Sequence, residues 1–127
     1  LTDINTCVST VIYNEKILQF GGADFNGKLS NHLYEIIINN EDNTMNINII
    51  PTKGVKPPPL EGHATVIWNN KLIIFGGYNG TLFSNYIYQL DLEILEWKEL
   101  NCENEKETSY HIPPPMCPFS AHIINNL

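Results

Sequence analysis

Arginine is missing from this chain altogether, and seven lysines face fourteen acidic residues, giving a formal charge of −7. Nucleic-acid binding rests on clustered Lys and Arg that neutralise phosphates. The composition therefore argues against a nucleic acid or an anionic membrane as partner. A basic protein partner stays compatible, although acidity by itself mostly serves solubility. No stretch of eighteen apolar residues is present, so no membrane-spanning helix is expected. The start, Leu1-Thr2-Asp3-Ile4, has neither an initiator Met nor the basic and apolar regions of a secretory signal, and reads as a cut piece of a longer protein. Cysteine is sparse: Cys7, Cys102 and Cys117 are odd in number and make no C-x-x-C pair. That excludes a zinc knuckle and a disulfide framework. Three reduced thiols fit a cytoplasmic protein, with a nuclear location as the alternative.

Helix signals are nearly absent as well. Pro and Gly interrupt the chain, and no amphipathic window of helical length survives. Asn and Ile are abundant instead, at seventeen each. That bias fits an AT-rich coding sequence such as a protozoan's and carries no mechanism.

What is present is a repeat. The diglycines Gly21-Gly22 and Gly76-Gly77 lie 55 residues apart, and on that offset residues 10–20 align with residues 65–75 without a gap. Almost every position is identical or chemically similar. The match resumes after a one-residue slip, with residues 30–36 against 84–90, and the extra residue falls in the loop over 24–29, where an insertion costs little. A third copy begins at Pro113-Pro114-Pro115, which aligns with Pro57-Pro58-Pro59 56 residues earlier.

Each unit reads as all-β. Residues 66–68 and 71–75 are β-branched or aromatic runs flanking Asn69-Asn70, a two-residue hairpin, because Asn tolerates the positive φ of a primed turn. Leu72-Ile73-Ile74-Phe75 is apolar without alternation, as a strand buried on both faces requires. Residues 86–92 are expected to form a third strand and 96–100 a fourth. A four-stranded unit recurring at this interval predicts a propeller rather than a solenoid.

These residues resemble the Kelch repeat. The middle unit carries its motif: Pro58-Pro59, Gly62-His63, Phe75-Gly76-Gly77, Asn85, Tyr88, Asp91-Leu92-Glu93 and Trp97. The resemblance covers essentially the whole chain. It implies a Kelch-type β-propeller segment with blades of four antiparallel strands: blade 1 over 1–50, an inter-blade loop over 51–61, blade 2 over 62–100, a second loop over 101–118, and the first strand of a third blade over 119–127. Departures occur at Leu60, where the family often has Arg, and at Leu90, where Tyr is common. Val8 and Phe119 stand at the His position, and Met45 or Asn46 at the place of the Trp.

The framework residues are Gly21, Gly22, Gly62, His63, Gly76, Gly77, Tyr88 and Trp97. The diglycines close a buried strand where the chain turns at positive φ. Trp97 and Tyr88 are expected to fill the gap between wedge-shaped blades with N–H and O–H reaching loop carbonyls, and His63 to hydrogen-bond neighbouring backbone.

Residues with chemical potential have simpler readings. His32, His63, His111 and His122 lack metal-ligand spacing, so no metal or cofactor is expected. Residues 76–80 lack the P-loop Lys and any following helix. Glu103, Glu105 and Glu107 read as a solvated connection, and Asn79-Gly80-Thr81 as an accidental glycosylation sequon. No Ser-His-Asp order or catalytic Cys signature occurs. The copper oxidase that resembles galactose oxidase shares Kelch-like blades, but none of its copper ligands has a counterpart here.

The resemblance implies contacts through the loops between second and third strands and between blades: 23–30, 78–84, 51–61 and 101–118. Within them Asp24, Phe25, Tyr78, Asn79, Leu82 and Phe83 are the candidate binding residues, since aromatics anchor and short polar groups set register. The function expected is a non-enzymatic protein-interaction module of scaffold or adaptor type. The alternative is a regulatory Kelch domain of a larger enzyme, such as a Ser/Thr protein phosphatase. Two blades alone leave two apolar faces in water, so further blades in the same polypeptide, or another chain, are expected to cover them.

Overall fold

The computed structural model describes residues 5–100, 114–116 and 121–124. Nine strands occur among them: β1 (Ser9–Tyr13), β2 (Lys16–Phe20), β3 (Leu33–Asn39), β4 (Thr44–Ile50), β5 (Lys53–Gly54), β6 (Ala64–Trp68), β7 (Lys71–Phe75), β8 (Ile87–Asp91) and β9 (Glu96–Leu100). They form two sheets, ordered β1-β2-β3-β4 and β5-β9-β8-β7-β6. No helix is present among the described residues. Strands β1–β4 and β6–β9 each form an antiparallel meander, and β5 adds to the second in parallel.

The β1–β2 and β6–β7 hairpins turn on Asn14-Glu15 (φ 48° and 62°) and Asn69-Asn70 (φ 49° and 57°). Both residues of each pair are left-handed, the primed turn whose twist suits paired strands. The pairings place the β2–β3 and β7–β8 connections at one end of the sheets, here the loop face, and all four tight hairpins at the other, the turn face; the β4–β6 connection passes the turn end of β9 at Lys53 and reaches the loop face at Leu60.

The core is the seam between the two blades. Blade 1 contributes Leu18, Phe20 and Leu33, and blade 2 contributes Leu72, Ile74, Leu90 and Trp97, all buried. Side chains two apart on a strand share a face, and here the first set of each strand meets the neighbouring blade. A fully buried aliphatic or aromatic side chain contributes about 1.5–3 kcal/mol, so this seam is the chain's main source of stability.

Three expectations need correction. Leu72-Ile73-Ile74-Phe75 is not buried on both faces: Leu72 and Ile74 are covered by blade 1, while Ile73 and Phe75 are half-buried on the side away from it. The loop over 51–61 contains β5, whose two residues pair in parallel with Glu96 and Trp97 at the outer edge of blade 2. The place of Trp97 in blade 1 falls to Ile47, not to Met45 or Asn46. Ile47 pairs with Ile36 as Trp97 pairs with Leu90. The β3–β4 hairpin is two rungs longer than β8–β9, so counting along the chain misplaces the partner.

The third copy lies mostly outside the described residues. Of the strand expected over 119–127, residues 121–124 are described and make no ladder. Cys102, Cys117, His111, Phe119, Glu103, Glu105 and Glu107 also lie outside them, while Cys7 is exposed and free.

Candidate functional site

The loop face is built by a set of backbone bonds that recurs from blade to blade. Gly22 N–H donates to Leu60 C=O at 2.7 Å, and Leu60 N–H donates to Ser30 C=O at 3.1 Å. One repeat later, Gly77 N–H donates to Met116 C=O at 2.9 Å, and Met116 N–H to Ser84 C=O at 3.2 Å. The residue that follows each proline triplet is thus clamped between the diglycine and the next loop of the preceding blade. Because the clamp uses backbone alone, Leu60 and Met116 serve equally, and the place of the family's Arg needs only a group that can be buried. Leu60 is wholly buried.

Gly21 is required by this clamp, and Gly77 by the Glu61–Tyr78 bridge beside it. Gly21 (φ 70°) would bring a Cβ to 2.5 Å from the Leu60 carbonyl oxygen, and Gly77 (φ 96°) to 2.9 Å from that of Glu61. Gly22 and Gly76 share the left-handed conformation, at φ 86° and 71°, and so does Gly62, at 62°. The residue matching Gly62 in blade 1 is Cys7, which adopts the same conformation at φ 55°.

From this frame project two loops of the same construction. Asp24 Oδ1 accepts the N–H groups of Asn26 (2.9 Å) and Lys28 (2.8 Å), and Asn79 Oδ1 accepts those of Thr81 and Leu82, both at 2.9 Å. Backbone bridges Ala23↔Leu29 and Tyr78↔Phe83 close the two loops, the first enclosing one more residue, as the one-residue slip requires. The loops adjoin: a Cβ on Gly80 would stand 3.6 Å from Leu29 Cδ1. With their backbones held, the tips carry exposed apolar groups, Phe25 (93 %), Leu82 (66 %) and Phe83 (54 %). Tyr78 is half-buried and supports Phe83, ring centroids 5.3 Å apart. The six candidates therefore divide by role. Phe25, Leu82 and Phe83 face outward, Tyr78 backs one of them, and Asp24 and Asn79 use a side-chain oxygen to hold the loops.

The framework candidates lie beneath. Trp97 is buried and its Nε1–H donates to Thr52 Oγ1 at 3.0 Å, a hydroxyl rather than the carbonyl expected. Tyr88 is buried, and desolvation raises the pKa of its hydroxyl. His63 departs further from expectation. Its ring is buried, meets Phe20 edge-on at 5.6 Å, and neither nitrogen has a hydrogen-bond partner among the described residues. Desolvation lowers its pKa to about 4, and the nearby Phe20 backbone offsets this only partly. His63 is a neutral wedge in the seam, which is why Val8 can stand at the matching position in blade 1.

Among the described residues no group of His, Cys, Asp or Glu is arranged to hold a metal ion. No helix among the described residues is long and apolar enough to cross a membrane. The sequence pattern did not indicate the residues on the turn face, Leu92 and Leu95, which line a cleft at the blade seam. Their signal was a large apolar residue, Leu95, just before a strand where the matching hairpin has Asn43.

A family model described as the KLHDC2/KLHL20/DRC7 Kelch-repeats domain matches residues 4–126. Human Host cell factor 2 is 30 % identical over 91 % of this chain. Human Kelch domain-containing protein 10 is 29 % identical over 76 % of it. A Dictyostelium discoideum protein named Probable inactive serine/threonine-protein kinase roco10 is 39 % identical over 51 %. The chain spans 15 %, 22 % and 2 % of those three proteins, respectively. Kelch repeats are in general non-catalytic protein-interaction modules. With the family model matching nearly end to end and the motif glycines in their expected conformations, this chain belongs to the Kelch-repeat β-propeller family.

Proposed function

We propose that these blades act as a scaffold or adaptor module that binds a protein partner through the loop face. The observation that carries this reading is the pair of loops held by Asp24 and Asn79, whose tips expose Phe25, Leu82 and Phe83. Large apolar groups on backbones fixed by hydrogen bonds bind at low entropic cost. The inter-blade loops 51–61 and 101–118 would complete the contact. The compartment compatible with the sparse cysteines, which form no C-x-x-C pair, is the cytoplasm or nucleus.

The remaining faces bear on how the module is assembled. On blade 1, away from the seam, Ile12, Ile38, Met45 and Ile49 are each more than half exposed. A continuous apolar sheet face of this kind needs covering. Further blades of the same polypeptide, or an associated chain, would supply it. Solution scattering tests this part, and a monodisperse compact monomer of this chain alone would contradict it.

A second reading is favoured by the Dictyostelium relative, which matches half of this chain and is named a probable inactive serine/threonine-protein kinase. On that reading the blades are a non-catalytic regulatory domain of a larger enzyme, whether kinase or Ser/Thr phosphatase. Substitution of Leu82 and Phe83 by Ser separates the two readings. Loss of a bound partner with unchanged enzyme activity supports the adaptor, and altered activity supports regulation.

A further inference from the structure

The turn face, opposite the loops, holds a cleft of about 280 Å³ at the seam between the blades. Tyr13, Leu18 and Ile50 of blade 1 form one wall, and Leu92 and Leu95 of blade 2 form the other. Lys16 and Glu35 also line it, but they bond to each other at 2.7 Å along blade 1. The ion pair leaves the apolar walls facing each other across open space. Ligand pockets run to roughly 300–1,000 Å³, so this one takes one or two side chains rather than a cofactor.

Leu95 indicates that the wall matters. It occupies the last place of the β8–β9 turn with φ 54°, a conformation that disfavours a large L-residue. The same place in the β3–β4 turn is Asn43, also at φ 54°, and Asn is the residue that conformation favours. Blade 2 therefore keeps a strained leucine where blade 1 has the relaxed solution, and the strained side chain lines the cleft. Backbone strain retained at one position points to a use for the side chain held there.

Among the described residues, the charges near this cleft that lack an ion-pair partner have one sign. Lys16, Lys53 and Lys71, the lysines at the turn end, are paired with Glu35, Glu96 and Asp91. The exposed carboxylates Glu15, Glu41, Asp42 and Glu93 belong to three of the four turns of this face and have no ion-pair partner among the described residues. The loop face is balanced instead, with Lys28 and Lys56 against Asp24 and Glu61. An apolar slot with Glu15 and Glu93 next to its lining residues Asn14 and Leu92 complements an apolar side chain flanked by cations.

We propose that the turn-face cleft docks a segment of a partner protein presenting one large aliphatic or aromatic side chain between Lys or Arg residues. The site is separate from the loop face, so the molecule has two binding faces and can join two proteins. It does not depend on the loop-face reading.

Fluorescence polarisation on the intact protein tests the proposal. The probes are a short labelled peptide with a central Leu between lysines and its counterpart with glutamates in their place. The lysine peptide binds, and the glutamate peptide binds at least about tenfold more weakly. Leu95→Asn removes the wall while relaxing the backbone, so it melts no lower than the wild type yet weakens the lysine peptide by about tenfold. Leu82→Ser on the loop face leaves that affinity unchanged. Equal affinity for the two peptides, no binding of the lysine peptide, or full affinity in Leu95→Asn overturns the proposal.

Discussion

Phe20 and Trp97 meet edge-on across the blade seam, ring centroids 5.2 Å apart at 64°, with both side chains buried. The contact joins the last residue of one inner strand to the outermost full-length strand of the next blade. Trp97 also ties the connecting segment down through Thr52. Trp97→Ala is expected to cost about 3–5 kcal/mol through the cavity it leaves. Thr52→Val, which removes only the hydrogen bond, costs about 1 kcal/mol. Urea unfolding of the two variants checks the ratio.

His63 sets a pH dependence. Its pKa is about 4 in the folded chain against an ordinary value of 6.5. Between those values the unfolded chain binds the extra proton, so stability rises with pH. The contribution is complete above about pH 6.5 and is lost as pH falls toward 4, about 3 kcal/mol in all. His63→Val, which copies the residue at the matching place in blade 1, should flatten that part of the stability profile. An unchanged profile in the variant would show that another group is responsible.

The two loop-face glycines Gly27 and Gly77 separate strain from crowding. Both have left-handed φ, 78° and 96°, but a Cβ at Gly27 meets nothing within 4 Å. At Gly77 it would lie 2.9 Å from the Glu61 oxygen and 3.0 Å from His63 Cβ. Gly77→Ala should therefore cost at least about 1 kcal/mol more than Gly27→Ala. Thermal melts of the pair measure the difference.

Glu15 is the opposite case. It holds φ 62° in a hairpin turn where the matching residue of blade 2 is Asn70, at φ 57°. Glu15→Asn should raise stability by about 0.5–1 kcal/mol. Chemical unfolding with an unchanged m-value is the check.

Much of this arrangement was legible in the residues. The 55-residue offset located both sheets, and Asn69-Asn70 and Trp97 lie where the pattern put them. What stayed hidden depends on backbone geometry without a side-chain pattern. β5 is two residues added to a sheet edge, with no room for alternation to show. Ile47 was missed because a hairpin lengthened by two rungs shifts the count while leaving the pairing intact. The Leu60 and Met116 clamp is made of main-chain atoms, so its only trace is position after a proline triplet. Asp24 and Asn79 matched in the repeat, yet composition could not distinguish a binding carboxamide or carboxylate from one that holds its own loop. His63 was expected to find a partner because buried polar groups usually do, and only the packed seam shows that it has none among the described residues.

Binding through the loop face is tested most directly by quantitative affinity capture with the intact protein and its Leu82→Ser/Phe83→Ser variant, read by mass spectrometry alongside thermal unfolding. The expected result is that a protein bound by the wild type is lost from the variant while the melting temperature is retained. An unchanged set of bound proteins in a variant that is still folded would contradict it.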